Sequence, residues 1–439
     1  MGGRPTGGRP FCLAVRYLLY DIATSLAAPA AAAWLLIHPR HRSLLGRFDP
    51  PVPPFQNTPI WLHACSVGEV AVATPLIAAL QGRWPDAPAL LTVSTIAGRR
   101  LADSSAGPVP IAWFPFDHRW SVNRFLTRAN PRLLVLVETE IWPNAIRMAR
   151  RRGIPVAVVN GRLSDKHFDR YRRRAWWVRP AFAAISAAGM QNREYAERIE
   201  ELGTPSSAIQ VTGSTKVDGV ATEVPRDLPS RVRSENGLPP EARVLVFGST
   251  RPGDEALAAQ CWGALRDEFP DLRIVVAPRH VERAGEALAA FDEPVLKRSA
   301  VRNGTSPGTE RVLLVDTLGE LTSFYAVATV AVIGGSFYPG VNGHNPLESA
   351  ALGIPTVFGP YMRNFIDPAR ILVEADGAFQ VTRPEELPGV LRRLLSSAHM
   401  CRQIVDRGRK AVLANQGATA RTLELLAPFL ALEGHNACS

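Results

Sequence analysis

Cysteine is scarce in this chain and follows no pattern. Five residues (Cys12, Cys65, Cys261, Cys401 and Cys438) are scattered over 439 positions, odd in number and without CxxC spacing. That leaves no zinc or disulfide framework and argues for a reducing compartment. The three away from the termini read as small buried hydrophobes rather than nucleophiles. The sequence also lacks GxxxxGK(S/T), HExxH and GxSxG, so P-loop, zincin and α/β-hydrolase chemistry have no signature here. Neither an internal repeat nor a low-complexity tract is present.

What is present is an ordered, basic composition. Apolar residues make up 46% and charged ones 21%, and Lys plus Arg outnumber Asp plus Glu by 50 to 40. The excess favours anionic partners, whether nucleic acid, acidic headgroups or phosphorylated substrates. A chain of 439 residues exceeds the roughly 250–300 at which a single core stops growing, so two domains are expected. Residues 1–48 form a tail and an apolar segment. That segment, Leu18–Ile37, is Ala-rich, interrupted by Asp21 and Pro29, and flanked by Arg4, Arg9 and Arg16 on one side and Arg40, Arg42 and Arg47 on the other. A signal peptide, a transmembrane span, an interfacial helix and a buried helix all fit such a pattern. Membrane attachment is the reading adopted, with spanning and lying flat both open, and the segment is expected to be separable from the rest.

A Pro-rich connector, Asp49-Pro50-Pro51-Val52-Pro53-Pro54, then breaks any helix. Beyond it, short apolar runs alternate with helical patterns. Strands are expected near Ile60–His63, Leu90–Thr95, Ile111–Phe114, Leu133–Glu138, Pro155–Asn160 and Ile209–Thr212. A second set is expected near Val244–Gly248, Leu272–Ala277, Val312–Asp316, Thr329–Gly334 and Pro355–Phe358. Continuous apolar strands between helices mean parallel sheets covered on both faces. The fold class is therefore α/β, with two doubly wound, Rossmann-like domains facing across a cleft: 55–224 and 241–439, joined by a linker at 225–240. The last helix is a candidate to pack back on the first domain.

In such sheets ligands bind beyond the carboxyl ends of strands. Three segments fall there. In Trp61-Leu62-His63-Ala64-Cys65-Ser66-Val67-Gly68-Glu69 a strand runs through a turn into a helix, and Glu69 is either a capping carboxylate or a general base. In Val137-Glu138-Thr139-Glu140-Ile141-Trp142-Pro143, two acids follow a strand directly, as helix-start acids or as groups that back the catalytic residue or face the acceptor. In Gly334-Gly335-Ser336 followed by Gly343-His344-Asn345-Pro346-Leu347-Glu348, glycines permit close approach of a phosphate and the next helix offers free N–H groups. Arg279, at the end of a strand, is placed to face that phosphate. The segment Tyr171–Arg179 mixes cations with aromatics, which suits a solvated basic face, a membrane-facing patch or nucleic acid.

HACSVGEV, ETEIWPN, NGRLSD, GSTKVD, APRHVER, VDTLGEL and GGSFYPGVNGHNPLE occur in that order, and together they resemble the bacterial transferases of 3-deoxy-D-manno-octulosonic acid (Kdo). The resemblance runs from the apolar segment to about residue 370 and implies a GT-B fold. It further implies inverting transfer of Kdo from CMP-Kdo to a lipid A precursor, on the cytoplasmic face of the inner membrane, in lipopolysaccharide synthesis. By that resemblance 55–224 is the acceptor domain and 241–439 the CMP-Kdo domain. Glu69 matches the family's proposed base, while Arg279, Gly335, Ser336, Asn345 and Glu348 match its CMP-side loops. No metal, cofactor or nucleic acid is expected. Cys65 and Asn342 depart from the family pattern, the second standing where a glycine is usual. A UDP-sugar transferase or epimerase, or a basic non-enzymatic membrane- or nucleic-acid-binding protein, are the competing readings.

Overall fold

Runs such as Leu133-Leu134-Val135-Leu136-Val137 present no polar face, and strands of this kind persist only with both faces covered. The computed structural model describes residues 10–431, with side chains from Tyr17 onward. Arg4, Arg9 and Cys438, and the side chains of Cys12 and Arg16, lie outside the described residues. The chain divides into two units, one formed by residues up to Asp218 with those from Gly417 on, the other by Gly219–Gln416.

The first unit is built on a seven-stranded sheet. Its strands are β1 (Ile60–His63), β2 (Ala89–Val93), β3 (Ile111–Trp113), β4 (Leu133–Val137), β5 (Val156–Gly161), β6 (Ala187–Met190) and β7 (Ile209–Val211). Their order is β3-β2-β1-β4-β5-β6-β7, every pairing is parallel, and Ile60 sits in register with both Ala89 and Leu133. The winding reverses between β1 and β4. Strand β6 is absent from the sequence reading because Ala-Ala-Gly-Met has no β-branched signature. Its small residues answer to crowding: a Cβ on Gly189 would stand 2.9 Å from Thr212 and 3.0 Å from Leu425. Leu425 belongs to the C-terminal helix, Ala418–Leu430, whose Leu426 and Leu430 share a core with Leu62 and Val135. Asp218 fixes the start of that helix, its carboxylate accepting from the N–H groups of Gly417 (2.8 Å), Ala418 (3.1 Å) and Thr419 (2.5 Å). An acid there satisfies orphan donors and complements the helix dipole.

The second unit repeats the plan with β8 (Val244–Thr250), β9 (Arg273–Pro278), β10 (Val295–Lys297), β11 (Val312–Leu314), β12 (Val330–Ile333), β13 (Thr356–Phe358) and β14 (Phe379–Gln380). The order β10-β11-β9-β8-β12-β13-β14 places its reversal between β8 and β12. Strands β10 and β14 are short edge elements that no hydrophobic run announces. Within 225–240 lies a helix, Leu228–Glu235, whose end is tied to this unit by Arg298, bonded to Glu235 (2.9 Å) and Asn236 (3.3 Å).

The N-terminal helix, Pro10–Ile37, is bound to the first unit by polar contacts. The Tyr20 hydroxyl donates to Asp117 (2.8 Å), Asp21 pairs with Arg147 (2.9 Å), and Tyr20 meets Trp177 edge-on at 5.5 Å. Asp117 in turn accepts from the N–H groups of Asn144 and Ala145 at the start of the helix Pro143–Arg151. Asp21, costly in a free apolar span, is thus a partner for a buried cation, and the segment is not the separable appendage that its composition suggests. Asp21→Ala leaves Arg147, only 8% exposed, without its carboxylate. The expected loss is roughly 2–3 kcal/mol, the low end for a broken buried pair because Asp21 keeps some solvent. Urea unfolding checks it: an unchanged midpoint would mean that the pair adds nothing.

Candidate active site

At the reversal of the first sheet, the loops after β1 and β4 stand side by side at the carboxyl ends. The helix Val67–Arg83 starts there with a capping box, Ser66 at its N-cap and Glu69 at its third position. The Glu69 carboxylate accepts from the N–H groups of Cys65 and Ser66 and from the Ser66 hydroxyl (3.2 Å). Glu69 is therefore a helix cap. It is also 7% exposed, and burial, reinforced by the Glu140 and Glu138 carboxylates, raises its pKa to about 7. The N–H donors pull the other way, so the helix start, which alone favours the ionised form, loses to burial and like charge. Burial also raises Glu140, with Glu138 adding to it.

Glu138 occupies left-handed backbone at φ 59°, an uncommon conformation for a non-glycine residue. Its carboxylate takes an ion pair from Lys216 at 3.2 Å. Near the end of β5, Asn160 is also left-handed (φ 51°); its Oδ1 accepts from Thr215 N–H (3.1 Å) while its buried Nδ2 has no partner among the described residues. Sequence reasoning named neither Lys216 nor Asn160 as site residues, although both lie in quoted motifs, GSTKVD and NGRLSD. Cys65 is set apart from nucleophilic chemistry, since burial pushes its thiol up to about 12.

At the reversal of the second sheet, β12 runs into Gly334-Gly335-Ser336. A Cβ on Gly334 would lie 2.6 Å from the Ser249 carbonyl oxygen, so the loop after β8 and this turn touch backbone to backbone. Gly335 is left-handed at φ 68°, and its N–H donates to Asp254 (2.6 Å), which also accepts from Arg251 N–H (2.8 Å). Asp254 is a third residue missed from sequence, its sign being its place in the first turn of a helix after Gly253. Ser336 is fully buried and braces the turn. Its hydroxyl donates to the Ile333 carbonyl (2.5 Å) and accepts from Gly359 N–H (2.8 Å).

Asn345 receives the N–H of Leu347 (3.2 Å) and bonds Glu348 in the first turn of the helix Leu347–Ala351. Burial raises Glu348, and the Asn345 bond and Arg279 oppose it. Burial, then the charges of Arg251, Arg279 and His280, lowers His344 to about 4. Arg279, Gly335, Asn345 and Glu348 are thus drawn into one neighbourhood, with Arg251 as an additional cation and His280 beside it. Asn342 keeps the loop geometry that a glycine would give: at φ 67° it is left-handed, and Gly343 N–H bonds the Gly335 carbonyl at 2.8 Å. Asn is the commonest non-glycine residue to accept that conformation. Among the described residues no group of three or more His, Cys, Asp or Glu is placed to hold a metal ion.

Residues 40–219 match the family model described as 3-deoxy-D-manno-octulosonic-acid transferase (kdotransferase). The chain is also 34% identical over 420 residues to the 3-deoxy-D-manno-octulosonic acid transferase of Bordetella pertussis, covering 92% of this chain and 94% of that one. The chain belongs to the Kdo transferase family. The enzyme of the same name from Haemophilus influenzae is 31% identical over 384 residues, covering 86% and 88%. As a fold, the chain is similar to MurG of Acinetobacter baumannii, with a TM-score of 0.57, 14% identity, and coverage of 84% of this chain and 99% of that chain. The fold class is GT-B, and this Kdo transferase is a glycosyltransferase, which sets aside the epimerase and non-enzymatic readings.

Proposed function

We propose that this Kdo transferase moves Kdo from CMP-Kdo to a lipid A precursor by a single inverting displacement, with Glu69 as the base. In that step an acceptor hydroxyl oxygen bonds to the anomeric carbon as the bond from that carbon to the CMP phosphate breaks. The hydroxyl proton passes to Glu69, and CMP leaves with the bonding electrons. The observation that carries this reading is Glu69 itself. It is a buried carboxylate at the switch point of the first sheet, with its pKa raised to about 7, near the pH at which it must accept a proton. Glu140 and Glu138 set its charge environment, and Lys216 pairs with Glu138. On the donor side, the Gly334–Ser336 turn shapes the loop at the switch point of the second sheet, its Gly334 and Gly335 N–H groups held by the Gly248 carbonyl and Asp254. Arg279 supplies positive charge for the leaving group, and Glu348 is an acceptor for ribose hydroxyls. This division needs no covalent nucleophile.

The same reading places the enzyme on the cytoplasmic face of the inner membrane. Tyr17–Ile37 is long and apolar enough to cross a bilayer by length and composition. However, Tyr20, Asp21 and Ser25 are engaged by Asp117, Arg147 and His118, while Leu18, Leu19, Ile22 and Leu26 face outward and exposed. A helix with polar contacts inward and leucines outward suits an interfacial position rather than a span. Titration calorimetry tests the donor assignment. CMP is expected to bind and UMP at equal concentration to give no saturable heat; the reverse preference would overturn the choice of donor.

A further inference from the structure

Beside the N-terminal helix the first unit has a cavity of about 480 Å³ whose lining includes Ser25, His118, Arg119, Trp120, Arg151 and Arg152. No carboxylate lines it. Arg152 bonds only neutral groups, the Asn123 carbonyl and side chain and the Thr127 hydroxyl. Arg119 and Arg151 are exposed and make no hydrogen bond or ion pair among the described residues. This sets them apart from nearby cations: Arg124 and Arg128 share Asp49, and Arg147 has Asp21. Three guanidinium groups are therefore held around one concavity with their charge uncompensated. Such an arrangement is complementary to an anion with several oxygens.

We infer that this cavity binds the phosphate headgroup of an anionic phospholipid of the bilayer on which the N-terminal helix lies. Guanidinium groups recognise phosphate oxygens in a forked, bidentate way, and phosphodiester headgroups carry one negative charge at the depth where arginines meet a membrane surface. The position argues for a lipid rather than a soluble phosphate. Ser25, which lines the cavity, lies on the same helix as the outward-facing Leu18, Leu19, Ile22 and Leu26. Trp120, 49% exposed and stacked under Arg124 at 4.7 Å, is of the residue type that settles at the headgroup level. The cavity shares none of its lining with the surroundings of Glu69, so it is a site for the host bilayer rather than for the transferred sugar or its acceptor hydroxyl. The inference rests on membrane attachment through the N-terminal helix, which the first arm of the experiment tests separately.

Flotation of the full chain with vesicles decides it. Wild type is expected to bind pure phosphatidylcholine vesicles weakly, through the helix, and vesicles containing phosphatidylglycerol at least about tenfold more tightly, the scale of a few arginines at an anionic surface. The triple variant Arg119→Gln/Arg151→Gln/Arg152→Gln should lose that preference while keeping its binding to phosphatidylcholine. The double variant Arg119→Gln/Arg151→Gln, which breaks no internal bond, should lose most of it with an unchanged melting temperature. A control lacking three exposed charges of the second unit, Arg402→Gln/Arg409→Gln/Lys410→Gln, should keep it. Equal losses in the control and the triple variant would reduce the effect to net charge and overturn the inference. So would competition by millimolar inorganic phosphate at constant ionic strength, which would mark a soluble-anion site. Failure of every form to bind phosphatidylcholine would count against helix attachment, whereas loss of the preference alone in wild type would count against the cavity.

Discussion

Glu69→Gln is expected to lower Kdo transfer by at least about a hundredfold, the usual scale for lost general-base catalysis. The substitution keeps size and one oxygen acceptor for the Cys65 and Ser66 N–H groups but cannot take a proton. Two further readouts separate a base from a helix cap. In wild type, kcat/KM should rise with pH through about 7, where Glu69 gives up its proton, and the variant should lack that rise. Stability should move in the opposite sense. A carboxyl whose folded pKa exceeds its unfolded value binds more protons folded than unfolded, so stability falls as pH rises from about 4.3 towards about 7. The neutral glutamine removes this term, and at pH 8 the variant should melt no lower than wild type. A purely structural cap would instead leave turnover and its pH profile untouched, since glutamine serves at the third position of a capping box as glutamate does. Retention of more than roughly a tenth of the activity would move the base elsewhere, with Glu138 and Glu140 next in line.

Arg279→Ala and Glu348→Ala are expected to weaken CMP binding by roughly tenfold to a hundredfold, the range for one charge-assisted hydrogen bond, while acceptor-lipid binding holds. Arg279 directly follows β9 and acts electrostatically on both His344 and Glu348, so its loss removes a cation from the donor loops. Glu348 is held by Asn345 and pushed towards its protonated form by burial. Removing it deletes an acceptor without disturbing the Gly334–Ser336 turn, which Asp254 and Ser336 brace independently. Calorimetry with CMP measures both. Unaltered affinity in the two variants would count against the second unit as the donor site.

Much of this was legible in the sequence, because parallel strands buried on both faces are continuous apolar runs and ligands gather at their carboxyl ends. Glu69, Glu138, Glu140 and the Gly-rich turn fall at the two reversals of strand order for that reason. What escaped was set by packing. Strand β6 is made of alanine and glycine because the C-terminal helix lies against it. Asp254 and Lys216 act on the backbone and side chain of residues about 80 positions away, which no local pattern encodes. The upward Glu69 shift is likewise beyond local pattern, since the helix start is local while Glu140 and burial are tertiary. The N-terminal helix shows the same limit in reverse: composition marks it as a membrane segment, but the partner of Asp21 lies 126 residues on.

The most direct measurement incubates purified protein with CMP-Kdo and a tetraacylated lipid A precursor and weighs the lipid by mass spectrometry. The account predicts lipid heavier by one or more Kdo units, CMP released in step, and no such product from Glu69→Gln under the same conditions. Unmodified lipid from folded, CMP-binding wild type, or a product formed as readily by Glu69→Gln, would contradict it.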